Sequence, residues 1–227
     1  MKILLVSDVE DKYLWDYYQP GRLAEYDLIL SAGDLKPNYL SFLVTMARCP
    51  VMYIHGNHDL SYEKEPPEGC ECIEDDLVIY KGVRIMGLGG CMQYSGGPHQ
   101  YTEKQMAKRV RRLGKKLKKA GGVDIILTHA PVSGFGDGED RCHRGFEVFK
   151  ELIEKYSPGY LVHGHVHMNY GRDVKRVHEL GDTKIVNASG RYAIEIDDVP
   201  YEKEYAYPLD GIAGFFEKRR REKRQPY

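Results

Sequence analysis

No run of apolar residues in this 227-residue chain approaches the ~18 that a membrane-spanning helix requires. The apolar stretch at residues 3–6, behind Met1 and Lys2, is too short for the core of a signal peptide. Charge of one sign is missing too. With 33 Lys and Arg against 34 Asp and Glu, the net charge of −1 offers no global field to nucleic acid or an anionic membrane. Cysteine is scarce and odd in number, five residues, which argues against a disulfide framework. We find no internal repeat and no low-complexity tract. These absences predict a soluble, reduced, cytoplasmic protein. What is present is globular: 42% hydrophobic and 30% charged residues. A chain of this length buries about 72% of its unfolded surface on folding, enough for one large core.

Short apolar, β-branched runs recur at residues 3–6, 28–30, 51–54, 125–127 and 160–162, each bounded by turn residues, and read as buried strands. Helix-period stretches lie between several of them. The clearest is 102–120, where Met106, Val110, Leu113 and Leu117 recur at three and four residues, with Thr102 as N-cap and Gly121-Gly122 as stop. Its nine Lys and Arg between 104 and 119 read as a solvated face, because no aromatics are interleaved with them. Alternating strands and helices predict an α/β fold with parallel pairs. Residues 66–76 read as a surface loop leading into a short strand, and Cys70 and Cys72 within it as ordinary thiols lacking a second zinc-spaced pair. We divide the chain into a domain at 1–200 and a tail at 201–227 whose basic end could form a helix.

The chemistry lies in the residues just after each strand. Asp8-Val9-Glu10 comes after the first, Gly33-Asp34 after the second and Gly56-Asn57-His58-Asp59 after the third. His129-Ala130-Pro131 and His163-Gly164-His165-Val166-His167 come after the later two. Open α/β sheets place their sites at these carboxyl ends. Five of the nine histidines fall in these segments, and a sixth, His55, immediately precedes one of them. Carboxylate, amide oxygen and imidazole together suit Mn, Fe or Zn, and so many donors suit two ions sharing one carboxylate. Gly33, Gly56 and Gly164 would let the backbone turn sharply between donors.

This ordered set, D-x-x, GD, GNHD, TH and GHxH, resembles the calcineurin-like metallophosphoesterases over roughly residues 1–196. A GNHD tetrapeptide alone arises by chance in about one such chain per thousand, and four further segments in order make coincidence implausible. Within the family, the segment Gly134-Phe135-Gly136-Asp137 looks like that of a bacterial branch. The resemblance implies a four-layer α/β/β/α sandwich with two divalent ions between the sheets. Manganese leads the expectation, with Fe, Zn, Ni or Mg as alternatives. It further implies that Asp8 and His167 hold the first ion, that Asp34 bridges, and that Asn57, His129 and His165 hold the second. His58 corresponds to the general acid or charge stabiliser, with Asp59 orienting its imidazole. Asn187-Ala188-Ser189 corresponds to a structural strand end. His163 has no counterpart.

One position departs from the pattern: the first motif is D-x-H in the family and has Glu10 here. A carboxylate still ligates, so Glu10 is a candidate for the first ion and would make its site less positive; Asp11 is the alternative. His99, His143 and Arg191 lie in segments that could line a substrate cleft, though for these, as for Tyr94 and Tyr192, an ordinary solvent-facing role is the simpler reading. The implied activity is hydrolysis of a phosphomonoester or diester by a metal-bridging hydroxide, on a phosphorylated small molecule. The rival readings are a non-catalytic member acting through protein contacts, as the retromer subunit of this fold does, and a nuclease using the basic helix. Nucleic acid and membrane are not favoured as partners, and the sequence carries no signal of oligomeric state.

Overall fold

The computed structural model describes residues 1–168 and 175–197. The expected tail at 201–227 lies outside the described residues. In chain order the elements are β1 (Lys2–Ser7), β2 (Leu28–Ser31), α1 (Pro37–Met46), β3 (Val51–Tyr53), a 3₁₀ turn (Asp59–Glu63), β4 (Glu71–Cys72), β5 (Asp76–Tyr80), β6 (Val83–Leu88), β7 (Cys91–Met92) and β8 (Gln100–Tyr101). There follow α2 (Glu103–Lys119), β9 (Ile125–Thr128), α3 (Val148–Tyr156), β10 (Tyr160–His163), β11 (Val177–Leu180), β12 (Thr183–Asn187) and β13 (Gly190–Glu195). One sheet runs β13-β1-β2-β3-β4 and a second runs β11-β12-β10-β9-β6-β5, with β7 and β8 as a separate pair.

The period-two alternation of side chains divides each strand between two faces. Ile3, Leu5, Leu28, Leu30 and Met52 of the first sheet meet Ile85, Ile125, Leu127, Val162 and Val186 of the second in one buried cluster. Their neighbours Leu4, Val6, Ile29 and Val51 turn the other way, onto Tyr39, Leu40 and Leu43 of α1. Met86, Ile126, Leu161 and Ile185 likewise meet Met106, Leu113 and Leu117 of α2 and Phe149, Leu152 and Ile153 of α3. Three apolar interfaces therefore join helix, sheet, sheet and helix. Each fully buried Leu or Ile contributes about 1.5–3 kcal/mol.

Every strand expected from the apolar runs is present. Among the described residues, the strands that carried no such signal supply every antiparallel pair, β5 with β6, β11 with β12 and β13 with β1, while β6 and β12 also pair parallel with β9 and β10. The 66–76 loop contains the two-residue β4, which extends the first sheet parallel to β3. At α2, Thr102 accepts the Gln105 N–H while the Gln105 side chain returns to the Thr102 N–H, a reciprocal cap. The reading of its basic residues as solvated fails at Arg109, which is 5% exposed. Its guanidinium donates to Glu74 at 2.8 Å, Asp75 at 2.8 Å and the Gly89 carbonyl at 2.6 Å, and lies over the Tyr101 ring.

Candidate metal centre

The parallel strands β1, β2 and β3 end side by side, as do β9 and β10 in the other sheet. The turns at these ends meet. A Cβ on Gly164 would strike Ser7 Oγ at 2.0 Å and Asp8 Oδ2 at 2.8 Å, and one on Gly56 would strike Asp34 Oδ1 at 1.9 Å. Only glycine permits these approaches. Asp8, Asp34 and His165 adopt φ of 60°, 57° and 67°, left-handed backbone that costs a non-glycine residue roughly 1 kcal/mol or more. Their own hydrogen bonds hold them there. Asp8 Oδ1 accepts the His165 N–H at 2.8 Å, linking the two sheets, and Asp34 Oδ1 accepts the His58 N–H at 2.8 Å.

Asp34, His129 and His165 each offer one ligand atom, all within 4.8 Å of one another. His129 Nδ1–H donates to the Ala32 carbonyl at 2.7 Å, which turns Nε2 toward Asn57 Oδ1 at 3.0 Å and Asp34 Oδ2 at 3.3 Å. A ring nitrogen facing two acceptors calls for a cation among them, whether proton or metal. Burial opposes charge on His129, but the carboxylates of Asp34 and Asp8 outweigh it and lift the imidazole to about 9. Burial and the neighbouring His129 press His165 down to about 3, so it is neutral. His165 Nε2–H donates to the Cys142 carbonyl at 2.7 Å, leaving Nδ1 as its donor atom. Asp8 Oδ2 is buried with no hydrogen-bond partner among the described residues. An orphaned carboxylate oxygen, an amide oxygen, a second carboxylate and two oriented imidazoles form a donor set that fits divalent cations.

The other expected residues are distributed around this group. His58 is exposed at its edge, next to Asp34. Asp59 is buried, and its Oδ2 accepts the N–H groups of Asp34 at 2.8 Å and Gly56 at 2.7 Å. Burial first, and then the charge of Asp34, push its carboxyl up to about 6. His167 is half-buried two residues beyond His165. Glu10 is turned to Lys36, Oε2 to Nζ 3.2 Å. Asp11 caps the turn at Tyr13 and pairs with Arg191 at 3.0 Å, and the Arg191 guanidinium lies 4.2 Å over the Tyr13 ring. His143 packs its ring 5.1 Å from that of His165.

His99 is gathered at a different group. It stacks on His55 at 4.8 Å with 4° between the planes, while Glu74 Oε2 accepts from the His55 backbone N–H and faces Nδ1. Lone pairs of imidazoles lie in the ring planes, and parallel stacked planes do not meet at one ion, so this group reads as a support for the turn before Asn57. His163, unassigned from sequence, donates from Nδ1 to the Gly164 carbonyl and presses Nε2 toward Gly136. Two contacts escaped the sequence reading. The Tyr94 hydroxyl accepts from Asn57 Nδ2 at 3.4 Å, where the sequence reading preferred an ordinary solvent-facing role for Tyr94. The Cys142 carbonyl had none, since backbone groups leave no mark in a sequence.

Comparison with known proteins places the chain in a family. The model of the calcineurin-like phosphoesterase family matches residues 1–169. Two proteins of Caenorhabditis elegans are similar. UPF0046 protein K07C11.7 is 23% identical over 83% of this chain and 69% of its own length; UPF0046 protein T07D4.2 is 27% identical over 76% and 52%. The chain thus spans about half of the second relative. Among solved structures, TT1561 of Thermus thermophilus superposes with a TM-score of 0.54 at 16% identity, over 83% of this chain and 89% of that one, a likeness of fold. Among the described residues no helix is long and apolar enough to cross a membrane. With the family's model covering the strands and turns that gather Asp8, Asp34, Asn57 and His129, the chain belongs to the calcineurin-like phosphoesterases.

Proposed function

We propose that this protein is a metal-dependent phosphoesterase that hydrolyses a phosphomonoester or diester of a small molecule. The observation that carries the reading is the convergence of Asp34, His129 and His165 within 4.8 Å, with Asn57 Oδ1 on the same imidazole nitrogen. A pair of divalent cations bound there, manganese first among candidates, would supply Lewis acidity and lower the pKa of a bound water. The chain's own residues do the rest. Asp34, Asn57, His129 and His165 would hold one cation and Asp8 with His167 the other, with Asp34 shared between them. The Ala32 and Cys142 carbonyls fix the tautomers of His129 and His165, so that each presents one chosen nitrogen. His58, exposed beside Asp34, is placed to steady charge on the phosphoryl oxygens or to protonate the leaving oxygen. Five cysteines, none in a disulfide, are in keeping with a cytoplasmic setting.

The test is metal analysis of purified protein followed by assay of generic monoesters and diesters with Mn, Ni, Mg and Zn. Asp34→Ala and His165→Ala are expected to lose bound metal and hydrolysis together while unfolding cooperatively in urea. His58→Ala is expected to keep its metal and lose ~10²-fold or more in turnover. Unchanged metal content and activity in both ligand variants would overturn the reading.

A further inference from the structure

The segment that reaches His165 holds a second set of donors. Asp137 closes a loop by accepting the Gly134 N–H on Oδ1 at 2.8 Å and the Gly145 N–H on Oδ2 at 3.1 Å. This accounts physically for the Gly134-Phe135-Gly136-Asp137 motif. Inside the loop, Asp140, Cys142 and His143 bring a carboxylate oxygen, a thiol sulfur and an imidazole nitrogen within 4.8 Å of one another. His143 Nδ1 lies 2.8 Å from Asp140 Oδ2 and 3.2 Å from Cys142 Sγ. Gly138 backs the group: a Cβ there would sit 2.8 Å from His143 Cβ and 3.1 Å from Asp140 Oδ2.

We propose that Asp140, Cys142 and His143 form a binding site for a thiophilic divalent cation of the zinc class, distinct from the centre around Asp34. Tetrahedral zinc with sulfur at about 2.3 Å and nitrogen or oxygen at about 2.0–2.1 Å sets S–N at about 3.6 Å and N–O at about 3.3 Å. The distances here are a few tenths of an ångström shorter, as befits hydrogen bonds that a cation replaces. Opening them requires only small rotations, because Asp140 is exposed and the other two are half-buried. Coordination takes the Cys142 sulfur as thiolate, releasing its proton to solvent, and uses the lone pair on His143 Nδ1 in the Nε2–H tautomer. Three protein donors leave the fourth position to water. Burial, with help from Asp140, lifts the Cys142 thiol to about 11, so the sulfur keeps its proton until a cation displaces it.

The site is tied to the first one. The Cys142 carbonyl receives the His165 Nε2–H, and the His143 ring packs on that of His165. A cation bound by Cys142 and His143 therefore fixes the very carbonyl that orients His165. Softness separates the two centres: the group around Asp34 has no sulfur and suits harder ions, whereas this one selects zinc or its soft congeners.

Cobalt(II) titration tests the proposal. Metal-free wild-type protein is expected to develop a near-ultraviolet thiolate-to-cobalt charge-transfer band, which zinc abolishes by competition and manganese does not. Asp34→Ala, which disables the centre around Asp34, is expected to keep the band, so its fate is independent of the proposed activity. Cys142→Ser is expected to lose it, and His143→Ala to weaken cobalt binding at least ~10-fold. A wild-type protein without the band, or a band that survives in Cys142→Ser and so belongs to another thiol, would overturn the proposal.

Discussion

Asp59 Oδ2 accepts two backbone N–H groups, from Asp34 at 2.8 Å and from Gly56 at 2.7 Å, and so clamps the turn after β2 to the turn after β3. The two residues that most directly shape the centre, Asp34 and Asn57, each carry or adjoin a clamped amide. The carboxylate thus acts on the backbone that carries the ligands.

The first prediction concerns that clamp. Asp59→Ala leaves two buried N–H groups without an acceptor, at about 1–3 kcal/mol each. It is expected to lower urea stability by roughly 2–4 kcal/mol and to reduce metal content. Asp59→Asn retains an acceptor oxygen and is expected to fall between. Equilibrium unfolding with metal analysis decides the matter: a variant with full metal content but slow turnover would instead assign Asp59 to the His58 imidazole.

The convergent group was legible in sequence because Asp34, Asn57, His129 and His165 each sit just beyond a short β-branched run, and strand ends are where side chains converge. β1, β2, β3, β9 and β10 were legible for the same reason. β11, with its Val-His-Glu-Leu alternation, sits at a sheet edge and carries no continuous apolar run, so it was not. Arg109 was hidden for a different reason: one buried guanidinium among nine basic residues of α2 has the same helical period as its exposed neighbours. Its partners Glu74 and Asp75 lie more than thirty residues away, and only the fold makes them adjacent.

Arg109 carries the second prediction. Burial alone would raise the Glu74 carboxyl, but the His55 hydrogen bond and the Arg109 charge outweigh it and hold the group below its ordinary value. A depressed carboxyl contributes stability above its unfolded pKa of about 4.3, and that contribution fades as pH falls through the folded pKa. Arg109→Leu is expected to cost roughly 3 kcal/mol near neutral pH, because the largely buried Glu74 loses its guanidinium partner and keeps only His55. In urea titrations the gap to wild type should narrow on acidification. A gap independent of pH would show that packing over Tyr101, and not charge, is what Arg109 provides.

The last prediction turns on Glu10, where the first motif departs from the family. Its carboxylate faces Lys36 at 3.2 Å, in a pair whose lysine is 77% exposed. Such surface pairs contribute about 0–1 kcal/mol. With Glu10 so engaged, a cation beside Asp8 would have fewer protein donors than one held, as proposed, by Asp34, Asn57, His129 and His165. Two unequal binding steps are therefore expected in calorimetric titration with manganese, a tighter one and a weaker one. Glu10→Gln should leave both steps and the stability nearly unchanged, since the residue it replaces is not a donor in this arrangement. Glu10→His restores an imidazole at the third position of the motif, and should tighten the weaker step alone and shift its preference toward zinc, the softer ion. Asp34→Ala, by contrast, should weaken both, since the proposed arrangement shares its carboxylate. Loss of the weaker step in Glu10→Gln would mean that the carboxylate leaves Lys36 when metal arrives and becomes a ligand itself.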